Sequence, residues 1–183
     1  MRIEPAQIPD VLLIQPAKHG DHRGFFSETF RAAAMKEVGV DVDWVQDNHS
    51  FSQARGVVRG LHFQRAPRAQ AKLLRVVRGA ILDVAVDVRK ASPTYGQHVA
   101  VELSADNWTQ LYVPVGFAHG FCTLTENCEV LYKVSADYGP AEEGGVLWND
   151  PDLAIDWPIA LEDATLSARD KEWPRFKDLV SPF

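Results

Sequence analysis

Ala80-Ile81-Leu82-Asp83-Val84-Ala85-Val86-Asp87-Val88 is the stretch on which the fold turns. Leu82, Val84, Val86 and Val88 alternate with Ile81, Asp83, Ala85 and Asp87. A period of two is the pattern of a β-strand with one strongly apolar face. His98–Leu103 repeats it, with Val99, Val101 and Leu103 set against His98, Ala100 and Glu102. Outward from these two, strand-like runs recur at Val11–Gln15, Phe25–Phe30, Trp44–Gln46, Val57–Gln64, Leu73–Val77, Gln110–Val113, Gly120–Leu124 and Glu129–Ser135. Gly, Pro, Asn or Asp separates them. Only Arg31–Val38 reads as a helix, ended by Gly39, with a further short one expected within Ser167–Leu179. Many short strands with hardly any helix predict an all-β sandwich or barrel, and a jelly roll of eight or more strands fits the count.

At 183 residues the chain is expected to form one domain over 1–183, since no linker-like segment or internal repeat divides it. Hydrophobic residues make up 46% and charged residues 24%, an ordinary globular mixture that excludes collagen-like and disordered classes. The longest aliphatic run near the start, Val11–Ile14, is four residues, far short of the ~20 a membrane span requires. It also lacks signal-peptide flanks, and two cysteines, Cys122 and Cys128, make no disulfide framework. A cytoplasmic protein without a membrane partner is expected. The net charge of −6 argues against nucleic acid as a partner. Within that acidic chain, however, Asn48–Leu82 contains no Asp or Glu and seven cations: Arg55, Arg59, Arg65, Arg68, Lys72, Arg75 and Arg78. Such a run predicts a local anion site, although each side chain taken alone could equally be solvated or paired from elsewhere.

Phosphate-loop, dinucleotide-binding, zincin and hydrolase-elbow motifs are all absent, so the chemistry must lie in polar residues embedded in strands. Two stand out. In Arg59-Gly60-Leu61-His62-Phe63-Gln64, His62 faces away from Leu61 and Phe63, and a bulge at Gly60 would turn Arg59 to the same side. His62 is then either a satisfied core imidazole or a group aimed into a barrel interior. In Pro114-Val115-Gly116-Phe117-Ala118-His119-Gly120-Phe121, a turn leads into a strand opened by His119. This second element resembles the P-x-G-x-x-H half of the cupin pattern, and the region from Arg59 to Gly79 resembles the other half. Metal cupins present a His-x-His pair and a carboxylate in the first element; here position 64 is Gln. Two histidines without a placed carboxylate make a poor divalent-metal site, so no metal and no cofactor are expected.

Seven runs in order make the resemblance more specific: Gly20–Glu28, Val45–Ser50, Val58–Gln64, Pro114–Phe121, Leu131–Lys133, Leu147–Pro151 and Leu166–Asp170. From about Pro9 to Trp173 the chain is similar to the dTDP-4-dehydrorhamnose 3,5-epimerase family of cupins. The resemblance implies a cupin-type jelly roll acting as a homodimer, without cofactor, on a dTDP-linked 4-keto-6-deoxy sugar. The reaction implied is inversion of C3 and C5, both acidified by the C4 ketone. By the same resemblance His62 is the base and Asp170 the carboxylate that orients it. Tyr132 is the proton donor, and Lys72 the cation near the C4 oxygen. Arg23 and Arg59 match diphosphate-binding positions, Tyr138 the aromatic that stacks on thymine, and Gln46, Asp47, Asn48 and His119 further substrate-binding positions. Glu28 and Glu143 match positions suited to sugar hydroxyls or the thymine imide, and Arg169 stands where family members often carry Lys. Asp83 is an additional polar neighbour. Unaided by the resemblance, Asp170 reads as part of a surface helical turn and Tyr132 as a packed strand aromatic. The alternatives are an epimerase or ketoisomerase working at a single site of a related sugar, and a non-catalytic cupin that binds a sugar nucleotide.

Overall fold

The computed structural model describes residues 1–183. Thirteen strands are formed: β1 (Arg2–Pro5), β2 (Leu12–Gln15), β3 (His19–Asp21), β4 (Gly24–Phe26), β5 (Gln46–Ser52), β6 (Val58–Gln64), β7 (Lys72–Arg78), β8 (Ala80–Asp87), β9 (His98–Ser104), β10 (Gln110–Val113), β11 (Phe117–Thr123), β12 (Cys128–Val134) and β13 (Glu143–Gly145). A six-stranded sheet in the order β1-β2-β10-β7-β12-β5 faces a five-stranded sheet in the order β13-β6-β11-β8-β9. Every pairing within them is antiparallel. This is the jelly-roll sandwich that the alternating strands predict. The helix α1 (Ala32–Glu37) falls within the expected segment, and Gly39 follows it at φ +86°, its N–H donating to the Lys36 carbonyl. The C-terminal region holds only short 3₁₀ turns, at Leu161–Asp163, Arg169–Lys171 and Phe176–Asp178.

Three apolar layers hold these sheets. Between them lie Leu74, Val76, Ile81, Ala85, Val99, Leu103, Leu111, Phe117, Phe121 and Val130. Behind the six-stranded sheet, Met35 of α1 and Val40 pack on Ile14, Leu73 and Tyr112. Behind the five-stranded sheet, Val146, Trp148, Leu153 and Trp157 cover Val58, Leu61, Phe63, Val84, Val86 and Val88. These layers set the orientation of β8. Its strongly apolar face turns outward beneath the C-terminal segment, while the weaker face, Ile81, Asp83, Ala85 and Asp87, looks between the sheets. The physical reason is that both faces of β8 are covered, so neither needs to be polar, and the inner face is free to carry carboxylates. Two expectations shift. The Phe25–Phe30 run yields only the short β3–β4 hairpin, and the Trp44–Gln46 strand begins at Gln46 and continues to Ser52.

Candidate active site

The five-stranded sheet sets one wall of a cavity through a register irregularity. His119 pairs with His62, but Phe121 pairs with Arg59, so Gly60 and Leu61 of β6 oppose the single residue Gly120 of β11. Two residues against one is a bulge. In a regular strand Arg59 and His62, three apart, would point to opposite faces; the extra residue brings both to the face that carries His119 and Phe121. Only glycine serves at position 60. Its φ is +127°, and a Cβ there would lie 2.6 Å from the Gly120 Cα and 2.8 Å from the His119 carbonyl oxygen.

His62 and His119 each bind a carboxylate. The His62 Nε2 lies 2.5 Å from the Asp170 Oδ1, and the His119 Nε2 lies 2.8 Å from the Asp83 Oδ1. Asp170 is held by the 3₁₀ turn Arg169–Lys171, its N–H donating to the Ser167 hydroxyl. Burial would raise the Asp170 carboxyl, but His62, Ser167 and the Gly60 backbone outweigh it and hold it below the usual carboxylate range. Burial pushes the His119 imidazole down against the pull of Asp83. Trp173 edges the His62 ring with centroids 6.0 Å apart.

The opposite wall comes from the inward faces of β5, β7 and β12. On β5, Gln46, Asn48 and Ser50 are the half-buried positions, and their neighbours Asp47, His49 and Phe51 are exposed. Tyr132 pairs with Asn48 on one side and Leu74 on the other; Val134 likewise lies between Gln46 and Lys72. Burial pulls the Lys72 ammonium down to about 8, with Asp83 and Glu143 opposing it. Burial raises the Tyr132 phenol, against Arg59. These residues enclose a cavity of about 450 Å³ lined by Arg59, His62, Lys72, His119, Tyr132, Glu143, Arg169 and Asp170 together with Ser50, Phe121 and Ser167. It adjoins a second cavity of about 300 Å³ that shares His62, Lys72, Tyr132 and Glu143 and adds Gln46, Asn48 and Tyr138. At the mouth the Tyr138 hydroxyl donates to Glu143 at 3.0 Å, and Arg169 pairs with the same Glu143 carboxylate. The Gln46 side chain accepts the Tyr138 N–H at 3.1 Å and donates to Asn48 at 2.7 Å. Gln64, at the position where metal cupins carry histidine, turns its amide to backbone: it donates to the Arg68 and Asp137 carbonyls and accepts the Gly139 N–H.

Three expected site residues are not brought into this cavity. Arg23 sits on the turn of the β3–β4 hairpin, exposed and paired with Asp21. Glu28 and Asp47 line a pocket on the outer face of the six-stranded sheet, where Asp47 pairs with Lys133 at 2.8 Å. For Asp47 the reason is strand alternation between Gln46 and Asn48. The acid-free stretch also divides. Arg59 and Lys72 enter the cavity, whereas Arg75 lies in the outer pocket, Arg78 pairs with Glu129, and Arg55 and Arg65 reach backbone carbonyls. Two cations of the run thus line the cavity, joined by Arg169 from outside it. Ser167 is not among the expected site residues, although Ser167-Ala168-Arg169-Asp170 carries the S-x-x-D spacing that signals such a turn. Trp173 offered no signal.

Comparison with known proteins places this geometry in context. Residues 5–178 match the family model described as dTDP-4-dehydrorhamnose 3,5-epimerase. A relative of that name from Salmonella typhimurium is 52% identical over 168 residues, 91% of each chain. The solved dTDP-4-dehydrorhamnose 3,5-epimerase of Bacillus anthracis, with TDP and PPi bound, is 47% identical with a TM-score of 0.91, covering 95% of this chain and 98% of that one. The dTDP-6-deoxy-D-glucose-3,5-epimerase of Legionella pneumophila, in complex with dTDP-4-keto-L-rhamnose, is 43% identical with a TM-score of 0.92, covering 97% of this chain and 94% of that one.

Proposed function

The chain belongs to the dTDP-4-dehydrorhamnose 3,5-epimerase family, and from that premise we propose that it inverts C3 and C5 of dTDP-4-dehydro-6-deoxy-D-glucose to give dTDP-4-dehydro-L-rhamnose. The observation that carries the site assignment is that a buried carboxylate–imidazole pair, Asp170–His62, opens on a cavity whose facing wall offers Lys72 and Tyr132. Protons on C3 and C5 are acidified by the same C4 ketone, so one base can serve both. With Nε2 donated to Asp170, the second ring nitrogen of His62 takes the proton, and Asp170 stabilises the imidazolium that forms. Negative charge moves to the C4 oxygen, where the Lys72 ammonium lowers its cost. Tyr132, kept protonated by burial, returns a proton to the carbon from the opposite face, which inverts the centre. Arg59 and Arg169 supply guanidinium forks for the diphosphate, and Tyr138 a ring face for the thymine.

A second copy of the chain belongs to the reading. Arg23 and Glu28 lie outside the cavity of their own chain, on an arm whose Phe25 and Phe26 are 57% and 72% exposed. In a homodimer that buries this arm, both residues can serve the neighbouring site. The whole of 1–183 acts as a single catalytic unit, in the cytoplasm; no helix is long and apolar enough to cross a membrane.

Incubation with the keto sugar in heavy water tests the proposal. Deuterium at both C3 and C5 is expected. Label at one carbon alone would replace it with a single-site epimerase, and no label at either would overturn it.

A further inference from the structure

Tyr138 stands on a span that no strand supports. β12 ends at Val134 and β13 begins at Glu143, and no backbone–backbone hydrogen bond reaches Ala136, Asp137 or Tyr138. The ring is 48% exposed, so packing does not fix it either. Three glutamine side chains hold the four consecutive residues Ala136–Gly139 instead. The Gln70 amide donates to the Ala136 carbonyl at 2.7 Å, and the Gln64 amide donates to the Asp137 carbonyl at 3.2 Å. Gln46 accepts the Tyr138 N–H at 3.1 Å, and Gln64 accepts the Gly139 N–H at 2.7 Å.

Gln64 is the centre of this clasp. It is buried on β6, two positions beyond His62, and its second N–H donates to the Arg68 carbonyl at 2.8 Å. One amide thus joins the turn that follows β6 to the span that carries Tyr138. A neutral imidazole, the group metal cupins place at this position, has one donor and one acceptor and could not make all three bonds. We propose that Gln64 is a positioning residue for nucleotide recognition: with Gln70 it fixes residues 136–139, so that the Tyr138 ring is already set as a platform when the thymine arrives. This rests on the reading of Tyr138 given above and adds the groups that sustain it. A span ordered in the free protein has no conformational entropy left to lose on binding, and affinity gains accordingly.

A double-mutant cycle tests this, with dTDP binding measured by calorimetry in wild type, Gln64→Met, Tyr138→Ala and the double variant. Methionine keeps the length of the side chain and removes all three hydrogen bonds. Q64M is expected to weaken dTDP binding roughly 5- to 30-fold, the effect of one backbone residue left to order on binding. In turnover of the keto sugar KM rises in step while kcat stays within about twofold, since His62, Lys72 and Tyr132 are untouched. In the Y138A background Q64M changes affinity by less than about twofold, because the clasp then holds no ring. Unchanged affinity in Q64M, losses that multiply in the double variant, or a fall in kcat with KM unmoved overturns the proposal. If Q64M does not fold, Gln70→Met, which frees only Ala136, replaces it in the cycle. A smaller loss that disappears in Y138A then sustains the proposal, and no loss, or one that persists in Y138A, overturns it. If Y138A binds dTDP as tightly as wild type, the thymine-stacking reading of Tyr138 fails and this proposal with it. If Y138A is weakened and Q64M is not, only the Gln64 assignment falls.

Discussion

Replacing Asp170 with Asn keeps the shape of the His62 partner and removes its charge. Wild-type geometry sets what is lost. The Nε2–Oδ1 contact is 2.5 Å, the Asp170 side chain is 5% exposed, and the same carboxylate faces the Ser167 hydroxyl side of the turn that fixes it. In the resting site the carboxylate accepts the Nε2 proton and leaves the second nitrogen bare; at the transition state it faces an imidazolium. A hydrogen bond to an ionised partner is worth about 1.5–3 kcal/mol, or roughly 10- to 150-fold in rate. An amide can also present its NH₂ to Nε2 and reverse the tautomer, and in a comparable carboxylate–histidine pair that change costs ~10⁴. D170N is thus expected to lower kcat by between roughly 10- and 10⁴-fold, with the Michaelis constant little altered because Arg59, Arg169 and Tyr138 are untouched. Deuterium should vanish from C3 and C5 in proportion, since both protons leave through the same ring. The assay is initial-rate label uptake, read alongside thermal unfolding. A D170N protein that folds as wild type does and exchanges both protons at an undiminished rate would refute the reasoning. Loss at one carbon only would show that His62 is not the common base.

Three other outcomes follow from the same geometry. Tyr132→Phe should retain proton removal while losing net inversion by roughly 10²- to 10⁴-fold, the range for a missing general acid; label counted in recovered substrate against label in product separates the two. Gly60→Ala places a methyl group 2.6 Å from the Gly120 Cα at φ +127°. It should cost about 2–6 kcal/mol, the sum of backbone strain and overpacking, seen as a fall in the urea midpoint, and it should weaken catalysis because Arg59 loses its orientation. Asp87 supplies a pH prediction away from the site. Burial would raise it, but Arg89, Ser92 and Thr94 prevail and bring it down to about 2. A carboxyl depressed on folding contributes stability above its unfolded value, lost as pH falls through the folded one, so about 2 kcal/mol should disappear between about pH 5 and 2. Asp87→Asn should flatten that part of the stability curve measured by chemical denaturation.

What the sequence made legible follows from how local each signal is. The period of two in Ala80–Val88 and His98–Leu103 is a property of adjacent side chains, and the strands formed where it pointed. The choice of face was not local: it depended on Trp148 and Trp157, some sixty residues or more downstream, arriving to cover Val84 and Val86. The two glycine-marked strands brought Arg59, His62 and His119 to one wall because the bulge at Gly60 can be anticipated from Arg-Gly-Leu-His itself. Asp170 carried no such mark. Its role exists only through a contact spanning 108 positions, and a charged residue in a short polar turn looks like any solvated one until the turn is docked. Asp83 presents the reverse case. A carboxylate alternating with valines is visible as an anomaly in one dimension, yet its partner, the His119 ring on one oxygen, comes from β11. The strand-borne groups of this cavity, Arg59, His62, Lys72, His119 and Tyr132, stand on the inner faces of strands from both sheets. A sequence therefore reveals them as polar interruptions of apolar alternation and leaves their pairing to the fold.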